Sequence, residues 1–364
     1  MNYSDNYQEQ RCDVTQKVTM CDNDIKRAIC DKRYYICYMK NVAILVPENS
    51  VLQAIADPQY CFSAVNQFLI VLGNEPLFNV QLVGLKKEVK LNNGKYSVHT
   101  DQLLKDVNST DLVFIPALFG DMPQAVNANK KAVPWIVEQY NNGAEVASLC
   151  VGAFLLASTG LLAGKKCSTH WGFINEFREM YPDVDVQDGS IVTEENRIYS
   201  SGGANSYWNL LLHLVEKYTN RETAILTSKY FAIDIDRSSQ SAFAMFKGQK
   251  DHTDEAIKKA QEYIEENIGE RISTDELADK VAVGRRSFER RFKQATNNSV
   301  LEYIQRVKIE SAKRSFENSR KNINEVMFDV GYTDTKAFRT TFKKITGLTP
   351  IEYRNKYNKM VKSA

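Results

Sequence analysis

The 364-residue chain has no stretch approaching 18 consecutive apolar residues, which argues against a helical membrane span. Its opening, MNYSDNYQEQRCDVTQK, lacks the apolar core of a secretion signal, so the cytoplasm is the expected location. Cysteine is present, but not in a metal-binding pattern. Cys12, Cys21, Cys30 and Cys37 are spaced by 9, 9 and 7, match no common zinc arrangement and have no histidine nearby. No metal and no cofactor is expected. An excess of one charge is also missing, with 47 Lys and Arg against 45 Asp and Glu. That balance hides an asymmetry. From residue 285 to the end there are 19 basic and 8 acidic residues, a net of +11, while the rest of the chain carries −9. A basic segment on an otherwise acidic protein points to a polyanionic partner. In bulk the composition is ordinary, 43% hydrophobic and 25% charged, and the length suits two domains.

The end of the chain repeats itself. One copy, LADKVAVGRRSFERRFKQATNNSVLEYIQ, begins at Leu277, and a second, VMFDVGYTDTKAFRTTFKKITGLTPIEYR, begins at Val326. After a central turn the offset is 50 residues, matching Phe288 to Phe338, Phe292 to Phe342, Thr296 to Thr346 and Tyr303 to Tyr353. Before the turn it is 49, matching Leu277 to Val326 and Val281 to Val330. Each copy reads as helix, tight turn, helix. In the first, Ser273 or Thr274 is placed to cap a helix, Ala282-Val283-Gly284 make the turn, and a second helix runs from about Arg285 to Gln294. Phe288 and Phe292 share its buried face, leaving Arg285, Arg286, Glu289 and Arg290 outward. In the second, Asn324 is the expected cap of Glu325–Asp329, Gly331-Tyr332-Thr333 turn the chain, and Asp334 caps Thr335–Ile345. Thr335, Lys336, Arg339 and Lys343 are then outward. A linking helix, Val300–Phe316, is apolar at Leu301, Ile304, Val307, Ile309 and Ala312. It spans about 24 Å at 1.5 Å per residue. With its flanks, it suits two helices in successive major grooves roughly 34 Å apart.

A single pair of packed helices is common in proteins of every kind. A doubled one with basic outer positions points to double-stranded DNA, because Arg and Lys pair with guanine edges, Glu accepts from cytosine, and the remaining basic groups hold phosphate. Residues 256–357 resemble the DNA-binding domain of the AraC/XylS family of bacterial transcription regulators, most closely through DVGYTD…AFRTTFKKITGLTPIEYR with Gly331, Phe338, Phe342, Lys343, Gly347, Pro350 and Tyr353. The first copy departs from that pattern. Gly284 replaces a serine cap, Asn297-Asn298 a glycine, and Val300 the proline seen as Pro350. A less firmly started first reading helix is expected, one that contributes more to phosphate binding than to base reading.

From Lys40 the pattern changes to short apolar runs, NVAILVP, VQLVGL, TDLVFIP and EVASL, alternating with helical segments such as Cys61–Leu72, Lys131–Asn141, Val151–Thr159 and Tyr207–Tyr218. This predicts an α/β layered fold. In ASLCVGAFLLASTGLL, Cys150 falls at a strand-to-helix junction with Gly152 to relieve crowding, and His170 lies twenty residues on. A thiol at a helix start gains thiolate character, and His170 is a candidate base. A buried cysteine and a packed histidine is the plainer alternative.

Residues 41–218 resemble the PfpI-like, class I glutamine amidotransferase-like domain, in which Cys150 and His170 fall on the elbow cysteine and the histidine. SGGANSYWNLLLHLVEKYT and FAIDIDRSSQSAFAMF resemble versions of it fused to AraC-type modules. The resemblance implies a flavodoxin-like sandwich followed by an all-α double helix-turn-helix domain. Catalytic members carry an acidic residue near the thiol. Here Ala54 falls nearest that position, with Asp57 beside it, and the loop after the third strand is PALFG rather than a Gly-Gly amide donor. The expectation is therefore a catalytically degenerate domain that binds a small-molecule effector at Cys150 and His170 and forms a homodimer, with RNA polymerase a candidate partner of the whole. The expected organisation is a disordered extension over 1–39 (or a true start at Met39), a sensor domain over 40–218, a linker over 219–253 and a DNA-binding domain over 254–360. Two other readings stand beside this regulator: a cysteine-dependent amidase or hydrolase tethered to DNA, and a nucleoid protein without sequence preference. Unlike outer residues in RRSFERR and TKAFRTT argue against the last.

Overall fold

The computed structural model describes residues 39–250 and 252–358. The expected extension over 1–39 and its four cysteines, Cys12, Cys21, Cys30 and Cys37, lie outside these but for Met39. Among the described residues, one sheet holds seven strands. Its order is β10 (Val192–Glu195), β11 (Ile198–Ser201), β7 (Glu145–Ser148), β6 (Leu112–Ile115), β1 (Lys40–Leu45), β2 (Phe78–Gly84) and β5 (Gln102–Leu103). All neighbours are parallel except β10 against β11. Parallel strands covered on both faces lose the alternation of a half-exposed sheet, and β6, LVFI, is buried at every position. β1 pairs with β2 from Lys40↔Phe78 to Leu45↔Val83 and with β6 from Val42↔Leu112. The chain thus leaves β1 in one direction and returns on its other side, which opens a crevice at the carboxyl ends of β1 and β6.

The covering helices are α1 (Leu52–Val71), α2 (Met122–Ala128), α3 (Val133–Asn141), α4 (Ala153–Ala157), α5 (Ile174–Met180), α6 (Tyr207–Tyr218) and α7 (Arg221–Phe231). Two small pairings complete this part, the hairpin of β3 (Glu88–Leu91) with β4 (Tyr96–His99) and β8 (Lys166–Cys167) with β9 (Asp185–Val186). α1 starts nine residues before the expected Cys61, with Pro58 inside it and buried. The segment expected to link the two parts is itself packed. Ala224 of α7 belongs to the α/β core, and the Phe231 ring stacks on Trp208 at 4.5 Å. At the segment's end, His252 bonds Gln261 through Nε2 at 2.9 Å and accepts the Asp254 N–H at Nδ1.

The remaining described residues are helical: α8 (Glu255–Glu266), α9 (Thr274–Lys280), α10 (Arg285–Thr296), α11 (Val300–Asn318), α12 (Ile323–Asp329), α13 (Thr335–Thr346) and α14 (Pro350–Tyr357). They form two cores, and α11 belongs to both. Val300, Tyr303, Ile304 and Val307 pack with Phe288 and Phe292, while Ile309, Ala312 and Phe316 pack with Phe338 and Phe342. Leu301 departs from expectation. It points to solvent with 62% exposure, because the buried face of α11 starts at Val300. Ser273 caps α9 in a capping box with Glu276. The cap of α12 is Asn322 rather than Asn324, since only Asn322 stands three residues before Glu325 and completes the reciprocal box. No helix among the described residues is long and apolar enough to cross a membrane.

Candidate nucleic-acid interface and buried cysteine

The two helical units repeat down to single hydrogen bonds. Thr296 donates its hydroxyl to Phe292 O at 2.7 Å and accepts the Asn298 N–H at 3.2 Å; Thr346 does the same with Phe342 O at 2.8 Å and Leu348 N at 3.2 Å. Each pair of phenylalanines is fully buried, which rolls the opposite faces of α10 and α13 outward. Arg286, Glu289 and Arg290 are exposed on α10, and Lys336, Arg339 and Lys343 on α13; Thr335 is half-buried. Arg285 is exposed but engaged. Its Nη1 donates to both oxygens of Asp275 at 3.0 and 2.9 Å, and its Nε donates to Glu289 at 3.3 Å. Sequence spacing placed these residues on the outward faces, Thr335 only partly so; the four-residue separation of Arg285 and Glu289 is the spacing of a helical ion pair, which the sequence reading did not draw.

The starts of the two helices differ. Asp334 accepts the Lys336 N–H at 2.7 Å and the Ala337 N–H at 3.4 Å, so α13 begins with satisfied donors. Gly284 has no side chain to offer, and α10 begins uncapped. In the preceding turns, Gly331 has φ +73° and Ala282 φ +54°. A Cβ at Gly331 would fall 2.5 Å from Gly269 O.

Sequence reading missed the buried charges of α11. Lys308 is 6% exposed, and its Nζ donates to Glu270 O at 2.9 Å and Val330 O at 3.0 Å, tying the loop before α9 to the turn of the second unit. Burial lowers its pKa. Its signal was available, because Lys308 interrupts the row Ile304, Lys308, Ala312, Phe316 at four-residue spacing.

In the α/β part, β7 delivers Cys150 into a 3-10 turn with φ +56°, a left-handed conformation uncommon for a non-glycine residue. Gly152 is required beside it, since a Cβ there would lie 2.5 Å from Ile115 O and 2.6 Å from Pro116 O. Expected thiolate character does not follow. α4 has only five residues, so its dipole is short, and burial of the thiol pushes its pKa up to about 12. His170 accepts the Gly172 N–H at Nδ1, 3.0 Å, and packs on Trp171 and Phe173. Burial lowers its pKa. No hydrogen bond joins His170 to the Cys150 sulfur among the described residues. A polar contact does run between their neighbours, as Thr169 donates its hydroxyl to Cys150 O at 3.2 Å.

The candidate acid is also occupied. Ala54 is fully buried, and Asp57 accepts the Tyr207 hydroxyl at 2.6 Å and Trp208 Nε1–H at 3.0 Å. In the PALFG loop, the Phe119 N–H donates to Asn49 O at 2.6 Å and is unavailable to an oxyanion. The thiol, the imidazole and the nearby carboxylate are thus each engaged elsewhere or buried, and they do not assemble into a paired nucleophile and base.

Residues 70–217 match the DJ-1/PfpI family, and residues 277–356 match a helix-turn-helix domain. Three similar proteins come from Pseudomonas aeruginosa. The HTH-type transcriptional regulator ArgR is 27% identical over 215 residues, 59% of this chain and 65% of that protein. The regulator GbdR is 27% identical over 229 residues, 63% of this chain and 62% of its own length. The regulator CdhR is 25% identical over 271 residues, 71% of this chain and 76% of its own. The match thus spans slightly under two thirds of ArgR and GbdR. The chain joins a DJ-1/PfpI domain to a helix-turn-helix domain of the AraC type.

Proposed function

We propose that this chain is a sequence-specific regulator of transcription that binds double-stranded DNA through α13 and α10. The observation that carries the reading is the duplicated unit itself: two reading helices with buried Phe pairs, outward basic faces and one shared spine. α11 is 19 residues long, about 28 Å at 1.5 Å per residue, in keeping with successive major grooves. Lys336, Arg339 and Lys343 are the proposed reading and anchoring groups of the second unit. Arg286, Glu289 and Arg290 serve the first, and Arg285 must release Asp275 to join them. The relatives named as transcriptional regulators support the same role.

The DJ-1/PfpI part, residues 40–218 together with α7, holds a small effector near Cys150 and His170 and pairs two copies of the chain, so that two modules act on one operator. RNA polymerase is a further candidate partner, and the cytoplasm the proposed location. No enzymatic activity is assigned to the chain. Selection of bound sequences from a random duplex pool with the full-length protein tests the main reading. Arg339→Ala is then expected to weaken binding to the selected duplex by about 1–3 kcal/mol, measured by fluorescence anisotropy, and binding to random duplex far less. Equal losses on both duplexes would place Arg339 on phosphate and refute its reading role.

A further inference from the structure

Between α7 and α8 the chain crosses from the α/β part to the helical part, and it is fastened at both ends. Gln240 is 1% exposed within the α/β part. Its Nε2 donates to Thr169 O at 2.9 Å and Ser190 O at 3.2 Å, and its Oε1 accepts the Gly203 N–H at 2.8 Å. A side chain on Gly202 would collide with this carboxamide. Thr169 is also the residue that bonds Cys150 O and precedes His170. Gln240 therefore reports on the backbone that carries both.

Over the next six residues the chain is locked into the helical part. Ser241–Phe243 form one turn that packs on α13. The Phe243 ring carries the Arg237 guanidinium at 4.4 Å and the Lys356 ammonium at 4.8 Å from its centre. Ala244 O accepts from Lys313 Nζ at 2.5 Å, and the Phe246 N–H donates to Glu310 at 3.1 Å. Lys313 and Glu310 are 4% and 9% exposed and pair at 2.7 Å on α11. A buried pair of this kind is costly unless every group around it is satisfied, and the crossing segment supplies two of the satisfying bonds. The Phe246 ring then packs on Tyr303 at 5.1 Å, in the core of the first unit.

We propose that residues 240–246 are a coupling strap, with Gln240 a positioning residue through which the backbone at Thr169 and Gly203 sets the placement of the second reading helix. The proposal rests on the DNA-binding reading above. A second bridge between the two parts, Arg306 to Asp188 at 3.1 Å, is solvent-exposed and of the class that contributes little. Coupling between two sites is reciprocal, so DNA bound at α13 must be felt at Thr169 and Gly203, and no effector is needed to see it.

The test is amide hydrogen exchange on the full-length protein, with and without a duplex selected by that same protein. In the wild type, DNA is expected to slow exchange in α10 and α13 and to change it about fivefold or more in peptides covering residues 167–171 and 200–206. In Gln240→Ala the reading helices remain protected and the change at 167–171 and 200–206 is lost. Phe246→Ala, which opens the strap at its other end and leaves the bonds of Gln240 in the α/β part untouched, is expected to give the same result. Arg306→Ala leaves the change in place. Protection of the reading helices with no change at 167–171 in the wild type overturns the strap, as does a change that survives both strap variants. Absence of protection in α10 and α13 overturns the DNA-binding reading instead.

Discussion

The Cys150 thiol distinguishes a regulator from a thiol enzyme, and its reactivity has a magnitude that the structure sets. An ordinary cysteine titrates near 9.0 and Cys150 near 12, because burial opposes the charged form more than the Val151 N–H favours it. At pH 8 the thiolate fraction falls from about one in ten to about one in ten thousand. Alkylation, which needs the thiolate, is therefore expected to be about a thousandfold slower than for a free thiol, and slower still because the side chain is 6% exposed. The assay is iodoacetamide labelling of the native protein from pH 7 to 10, quenched over time and read by peptide mass spectrometry. Buried Cys61 and Cys167 serve as internal references. The Cys150 rate is expected to keep rising with pH across the whole range, and His170→Ala to leave it unchanged. Labelling of Cys150 at the rate of a free thiol at pH 7.5, with a plateau near neutrality that His170→Ala abolishes, would refute the argument and restore the hydrolase reading.

Two further outcomes follow from the helical part. Asp334→Ala is expected to cost about 1 kcal/mol in urea unfolding and Gly284→Ser to gain a few tenths, since Asp334 bonds two first-turn N–H groups and Gly284 none; equal effects at the two sites would contradict the assigned caps. Asp254 caps α8 and accepts two bonds from Arg291, at 2.5 and 2.8 Å, which together hold its carboxyl below the usual 3.8. A depressed carboxyl contributes stability above its unfolded pKa and loses it as pH falls through its folded value, so Arg291→Met is expected to lower stability at pH 7 but not near pH 2, where a loss of equal size at both would rule out the pairing.

The α/β fold was legible in sequence because its central strands are buried on both faces, and runs such as LVFI announce that directly. The doubled unit was legible because each half must bury its own Phe pair at helical spacing. Other features were not, each for a physical reason. The start of α1 was missed by nine residues, because the helix runs through Pro58, which supplies no backbone donor, and buries its ring. Asn324 and Asn322 are equal as cap residues until the position of Glu325 chooses between them. At Cys150 the elbow was readable from Cys-Val-Gly, whereas its pKa depends on the depth of burial, which no local pattern encodes. The segment holding Gln240 stood out only by resemblance, and the role of its side chain was not legible, because its three partners, Thr169, Ser190 and Gly203, are main-chain groups brought near only by the fold.

The inequality of the two readers reaches beyond their outer side chains. At three matched positions the second unit holds the residue suited to the backbone and the first does not. Gly331 takes the left-handed turn that Ala282 must also take, at about 1–2 kcal/mol for a residue with a Cβ. Asp334 caps where Gly284 cannot. Gly347 closes α13 with φ +76°, where Asn297 closes α10 with φ +54°, and asparagine tolerates that region less freely than glycine. All three differences lower the stability of the first unit relative to the second, and a fourth lies on the outward face, where Arg285 is already held by Asp275 and Glu289. What compensates is α11. Its Tyr303 is fully buried against Phe292 and bonded to Gln261 and Glu265, so the weaker reader is held by the same helix that anchors the stronger one. Spacing between the two units is then fixed by a shared helix that contributes to both cores.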